Sequence, residues 1–433
     1  MADQTSVVLR GGTVLTLDAQ HSVLPGADVL VTGDRVAAVG TDLAVPEGTR
    51  EIDARDGIVM PGMVDTHRHM WQTAMRGYGA DWTLTQYFVW YYLESGKHFR
   101  PQDVRAGNLL AAAEALDAGV TTCVDWSHGL QTVGHAEAAV DALRSLPGRY
   151  VLAYGNIQQA PWEWSTSADF RAFARRMLDD DRLGFQMAFD VTGDPSFPEK
   201  AAYEVARELG VPVTTHAGVW GATNDDGIRL AHEAGFLDAS SIFVHAATLS
   251  ADSYHRIAAT GGSVSVSTES EQSAGQGYPP TWALRAHDIP VSLSMDTSVW
   301  WSGDLFSAMR STLGADRSRE HFEAHQKGDT ITHCSLRAEH VVDWATRGGA
   351  AALGRSADLG SLEPGKKADV VLLKNDASPV SFPLLNPYGH VAFQAQRGDV
   401  HTVLVDGRVV KEEHRLVGVD LAAIRREVEA TVE

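Results

Sequence analysis

Between residues 57 and 358, apolar strand-like runs alternate with stretches of helical periodicity, and this alternation limits the fold more than any other feature. The runs are IVMPGMVDTH, VTTCVDW, RYVLAYGN, GFQMAF, VPVTTHA, SIFVHAA, GSVSVST and IPVSLSMD, eight in all. Between them lie segments such as AGNLLAAAEALDAG, AEAAVDALRSL, FRAFARRMLDD, KAAYEVARELG and AHEAGF. Nearly continuous apolar strands suit a parallel sheet covered by helices. Eight strand–helix units predict an α/β fold, a TIM (β/α)8 barrel, which needs roughly 250 residues. A doubly wound sheet is the alternative, but no Gly-x-Gly-x-x-Gly turn follows an early strand.

The two chain ends have a different texture. SVVLRGGTVLTL and ADVLVTGDRVAAVG near the start, and ADVVLLKN and VHTVLVDGRVVKE near the end, read as short strands joined by Gly-Gly and Gly-Asp turns. They predict a small composite β-sandwich domain drawn from both ends. The expected division is 1–56 for its first part, 57–358 for the barrel, and 359–433 for the return and a terminal helix. A chain of 433 residues has room for a large and a small domain.

Charge removes some partners. With 56 acidic against 36 basic residues, the net charge of −20 opposes nucleic acid and anionic membrane surfaces. Cys123 and Cys334 are the two cysteines and form neither a disulfide framework nor a metal-type pair. The N-terminal residues lack a basic start with a continuous apolar run, and no stretch reaches the roughly 18 apolar residues of a membrane span. The expectation is a cytoplasmic protein with a small-molecule partner. A homodimer is compatible with this size and is not fixed by the sequence.

Several strand runs end in metal-capable side chains. The first closes on His67-Arg68-His69, whose imidazoles share one face of an extended strand. His216 ends the fifth run, His245 the sixth and Asp296 the eighth. In a TIM barrel these ends converge on one mouth, where active sites lie. Each residue alone is commonly structural; five together point to a metal site.

The order His-x-His, His, His, Asp on strands 1, 5, 6 and 8 resembles the amidohydrolase superfamily. MRGYGADWTLTQYF with RPQDVRAGNLLAAAEALDAGVTTCVDW is similar to the branch containing aminohydrolases and s-triazine hydrolases, such as cytosine and S-adenosylhomocysteine deaminases. RGGAAALGRSADLGSLEPGKKADVVLL and VHTVLVDGRVV resemble that family's return into its β domain. The resemblance implies His67, His69, His216 and Asp296 as metal ligands, with Asp296 also taking the proton of the attacking water. It implies His245 as the residue beside the water or substrate. Binuclear members carry a bridging lysine on strand 4; RLGFQMAFD has none, which implies one divalent ion, zinc first and iron second.

One family element is missing. Deaminases of this branch carry His-x-x-Glu after strand 5, and the Glu moves a proton to the leaving amine. Here the position is Val219, which cannot do so. Asp225 and Asp226 follow, but solvated acids are the simpler reading. Glu269 and Glu271 occupy STESEQSAGQG, where the family has His-Asn-Pro-x-Ser-Asn, and are candidate replacements. Further candidates for substrate contact are Trp71, Gln72, His128, Asp190 and Trp300, with Trp301 beside the last. Arg68 should point away from the metal.

These readings predict a mononuclear metal-dependent hydrolase acting on a non-peptide C–N bond of a small cyclic or heteroaromatic compound, with deamination as the leading subclass. Hydrolysis of a cyclic amide, a cyclic amidine or another leaving group is the alternative. A metal-retaining, catalytically silent binding protein is the further one.

Overall fold

The computed structural model describes residues 6–179, 183–220, 222–301 and 303–432. Eight parallel strands form one sheet in chain order: Met63–Arg68, Val120–Ser127, Arg149–Tyr154, Leu183–Ala188, Val213–Ala217, Ile242–His245, Ser263–Val266 and Val291–Leu293. These are barrel strands 1 to 8. Helices cross between them on the outside, among them Pro101–Asp117, Val133–Arg144, Lys200–Leu209 and Ala251–Thr260. The barrel closes where Arg68 bridges Asp296 in parallel register, so the doubly wound alternative does not apply.

Inside the barrel, alternate positions carry small hydroxyl residues. Thr66 Oγ1 lies 2.7 Å from Ser265 Oγ and 2.8 Å from Ser292 Oγ, and Ser265 Oγ donates to Ser294 Oγ at 2.8 Å. Each of these four hydroxyls thereby has a partner within the lumen. The outward positions pack on the helices in the main apolar core, which includes Leu116, Cys123, Phe243 and Leu293.

The chain ends build a second, nine-stranded sheet. Ile58–Pro61 pairs with Val370–Leu373 in antiparallel register and with Ser6–Leu15 in parallel register, joining the two ends. This single sheet encloses an apolar cluster that includes Val7, Val29, Val36, Val370 and Leu404. The sandwich is thus one continuous sheet folded around its own core.

The run IVMPGMVDTH, read as one strand, is divided between the two sheets. Ile58–Pro61 belongs to the terminal sheet and Met63–Arg68 to the barrel. Gly62 is the hinge between them. A Cβ there would lie 2.1 Å from Thr121 Oγ1, so no side chain fits at the crossing. Apolar periodicity cannot reveal this break, because both halves are buried.

Among the described residues no helix is long and apolar enough to cross a membrane.

Candidate metal centre and its cavity

The seam between barrel strands 1 and 8 also positions the strand-end donors. The His69 N–H donates to the Asp296 carbonyl at 2.8 Å, and the Asp296 N–H donates to the His67 carbonyl at 3.1 Å. With the backbones tied in this way, Asp296 Oδ1 stands 3.3 Å from His67 Nε2 and 3.4 Å from His69 Nε2. The donor atoms of His67, His69 and His216 lie within 4.8 Å of one another, as do those of His67, His245 and Asp296. Asp296 and His245 both adopt left-handed backbone conformations, at φ 64° and 71°. Such positions cost on the order of 1–3 kcal/mol for a residue with a side chain and persist where surrounding structure holds them.

Atoms behind the imidazoles set their orientation. His69 Nδ1 is 2.8 Å from the Trp126 carbonyl, and His216 Nδ1 is 2.9 Å from Asp190 Oδ1. With Nδ1–H donating outward, each Nε2 keeps a lone pair directed to the centre, the usual support for a metal-binding histidine. Burial holds His67 well below the ordinary imidazole range and brings His69 to about 4, so both are neutral near pH 7. Burial also acts on His216, but Asp190 outweighs it and raises that imidazole's basicity. For Asp296, burial favours the neutral acid, yet the hydrogen bond with His67 and the neighbouring imidazoles hold it well below the usual carboxylate range. Its Oδ2 accepts from the Ser270 hydroxyl, which itself accepts from Gln276 Nε2 at 3.0 Å. Imidazole nitrogens around one ionised carboxylate fit a divalent ion such as zinc or iron.

Above these donors opens a cavity. His69, His216, His245 and Asp296 form its floor, and Tyr87, Phe88, Tyr92, Trp220 and Trp300 supply aromatic wall. Tyr87 and Trp300 lie with ring centroids 4.9 Å apart, and Phe88 stacks on Tyr92 at 4.5 Å. Val219 is also in the wall, so the position where the family pattern has Glu does face the cavity.

Of the proposed substrate contacts, Asp190 and Trp300 line this cavity. The others stand behind it. Gln72 donates to the Tyr87 hydroxyl at 2.6 Å and accepts from Thr297, while His128 Nε2 lies 3.4 Å from that same hydroxyl. Trp71 is fully buried among Tyr91, Phe99 and His128. The strand turns into a 3-10 helix at Met70–Met75, which carries residues 71 and 72 off the strand's line. Glu271 is fully buried, with Oε1 3.4 Å from His245 Nδ1 and accepting from the Ser267 N–H at 2.8 Å. Burial pushes Glu271 up, with His245 opposing.

Glu269 points elsewhere, hydrogen-bonded by Ser311, and burial beside Asp304 brings it to about 7. The helix Thr268–Ser273 explains the difference, since residues two apart on a helix face different directions. Asp225 accepts from the Ser250 N–H and Asp226 pairs with Arg229, so both act outside the cavity. Trp301 stacks on Trp300. Arg68 turns away from the donors into a buried ion pair with Glu114, as expected.

Residue-by-residue reading of the sequence missed Tyr87, Phe88, Tyr92 and Trp220, and also Ser270 and Gln276. The density of aromatics in TQYFVWYY was a usable signal for the first three. The pairing of Ser270 with Asp296 has none, because it joins the short helix after barrel strand 7 to the residue beyond barrel strand 8.

Residues 58–410 match the sequence profile of the Amidohydrolase family. A 5-methylthioadenosine/S-adenosylhomocysteine deaminase of Symbiobacterium thermophilum is 29% identical over 428 residues, covering 94% of each chain. Among solved structures, atrazine chlorohydrolase from Arthrobacter aurescens TC1 complexed with zinc superposes with a TM-score of 0.84 at 23% identity, over 99% of this chain and 100% of its own. An adenosine deaminase from Xanthomonas campestris with bound zinc gives 0.83 at 22% identity, over 99% and 98%.

Proposed function

Because this chain belongs to the amidohydrolase family, we propose that it hydrolyses a non-peptide C–N bond of a small cyclic or heteroaromatic compound, with ammonia release from an aminated ring as the leading case. One observation carries the reading: His69, His216, His245 and Asp296 meet on the floor of an aromatic-walled cavity, with His67 directly beneath Asp296. The relatives named as deaminases of adenosine compounds support an aminated purine as the first substrate to try.

His67, His69, His216 and Asp296 would hold one divalent ion, zinc before iron. When bound, that ion supplies Lewis acidity and an acidified water. Asp296, ionised and fixed through Oδ2 by Ser270, would take a proton as the water oxygen adds to the ring carbon. His245 would hydrogen-bond the oxygen, kept in orientation by Glu271 behind its Nδ1. The C–N bond then breaks, and the nitrogen leaves as ammonia once it has gained a proton. Val219 in the strand-5 turn cannot supply that proton, and Asp296 or His245 would. A small-molecule partner and a cytoplasmic setting complete this reading.

Ammonia release by zinc-loaded protein across aminated purines, pyrimidines, pterins and triazines, with Asp296→Asn as control, is the test. Release above the control is expected for at least one class. Silence across the panel with zinc bound would sink deamination.

Val219 favours a second reading. A leaving group that needs no added proton would make a strand-5 carboxylate dispensable, and the similar Arthrobacter structure is named a chlorohydrolase. Chloride release from chlorinated rings in the same panel separates the two.

A further inference from the structure

Asp190 uses its two carboxylate oxygens differently. Oδ1 accepts from His216 Nδ1 at 2.9 Å and from the His216 backbone N–H at 3.1 Å. Oδ2 has no hydrogen-bond partner among the described residues, and the side chain keeps 43% of its surface open within the cavity wall. A negative charge with an unused acceptor therefore faces the space that a substrate fills. Around it stand aromatic faces: Tyr87 with Trp300, and at the rim Phe88 with Trp220, whose centroids lie 6.3 Å apart at 84°. Ring faces attract flat rings and cations. No lysine or arginine lines this cavity among the described residues.

We infer that the cavity selects flat ring compounds that are neutral or cationic, presents their N–H donor to Asp190 Oδ2, and rejects rings bearing an anionic group. The inference rests on the reading of this cavity as the active site, and it concerns charge selection rather than the bond cleaved. An amidinium or protonated amino-heterocycle would form a charge-assisted hydrogen bond with Asp190 while its ring lies against the aromatic wall. An anionic substituent directed at this wall would meet Asp190 and aromatic faces, with no lysine or arginine of the described lining to pair with.

Equilibrium binding of benzamidine, benzamide and benzenesulfonate to the zinc-loaded protein tests this by calorimetry. The sulfonate is chosen because a carboxylate would itself ligate zinc. Benzamidine should bind about tenfold or more tightly than benzamide, the scale of one hydrogen bond between charged groups, with benzenesulfonate weakest. Asp190→Asn retains an acceptor for His216 but removes the charge, and should erase the benzamidine preference at unchanged zinc content. If that variant loses zinc, Trp220→Arg at the rim replaces it and should weaken benzamidine while strengthening benzenesulfonate. Benzenesulfonate binding as tightly as benzamidine, or benzamidine failing to bind, overturns the inference. So does a preference that a zinc-replete variant leaves unmoved. These measurements need no turnover: a protein that ranks the probes this way yet releases no ammonia sinks the deaminase reading and leaves charge selection standing.

Discussion

Two parts of the candidate site are built by different means. At the seam between barrel strands 1 and 8, His67, His69 and Asp296 are tied by their own backbone hydrogen bonds, and all three are almost fully buried. At the turn after barrel strand 5, Val219 and the half-exposed Trp220 lie beyond the strand, where no ladder bond fixes them. The seam keeps every residue of the family pattern; the turn does not. The spacing of these candidate metal donors depends on closing the barrel, because the seam's own backbone bonds hold them. Proton delivery depends on side chains in turns, which can change while the barrel stays closed.

The largest expected effect falls on the seam. Asp296→Asn should lower kcat/KM by about 10⁴-fold, near the top of the range for removing a positioned base, while circular dichroism shows a folded protein. Activity kept within tenfold would mean that the seam is structural rather than chemical.

Next is the ion pair beneath it. Arg68 and Glu114 are buried together, with Arg76 and Arg397 also on Glu114. Glu114→Gln leaves Arg68 without its counter-charge and should destabilise the fold by about 3–5 kcal/mol in urea titrations. The same pair fixes an acid limb. Burial pushes Glu114 up, but Arg68 and Arg76 prevail and bring it from its ordinary 4.5 to about 2. The folded state therefore binds this proton less readily than the unfolded chain. The stabilisation is complete above 4.5 and is lost as pH falls through about 2, a window in which Glu114→Gln should be flatter than the parent.

The turn gives the sharper comparison. If the missing carboxylate limits deamination, Val219→Glu should raise ammonia release by about 10²-fold, the lower end of what a general acid contributes. No gain at full zinc occupancy would show that proton supply already comes from elsewhere on the floor.

The smallest effect is expected at Glu271. Glu271→Gln removes the charge behind His245 without touching the ligand set, and should lower kcat by about tenfold while KM and zinc content stay unchanged. A change in KM alone would make Glu271 a wall residue instead of a positioning one.

The sequence by itself determined the barrel and its strand-end donors. Both follow from local pattern: apolar runs alternating with helical periodicity, and a His or Asp near the ends of runs 1, 5, 6 and 8, which parallel strands must bring to the same mouth. It also showed that Val219 stands where a carboxylate was expected, since position in a short motif is readable without coordinates. The tertiary structure alone decided which neighbours reach the cavity. Gln72 and His128 follow barrel strands closely yet stand behind Tyr87, and Glu271 faces His245 while Glu269, two residues earlier, faces Ser311. Turn and helix direction sets these outcomes, and contacts such as Ser270 to Asp296 join residues 26 apart in sequence. Packing of the segments that follow neighbouring strands brings such pairs together, and no local periodicity carries that information.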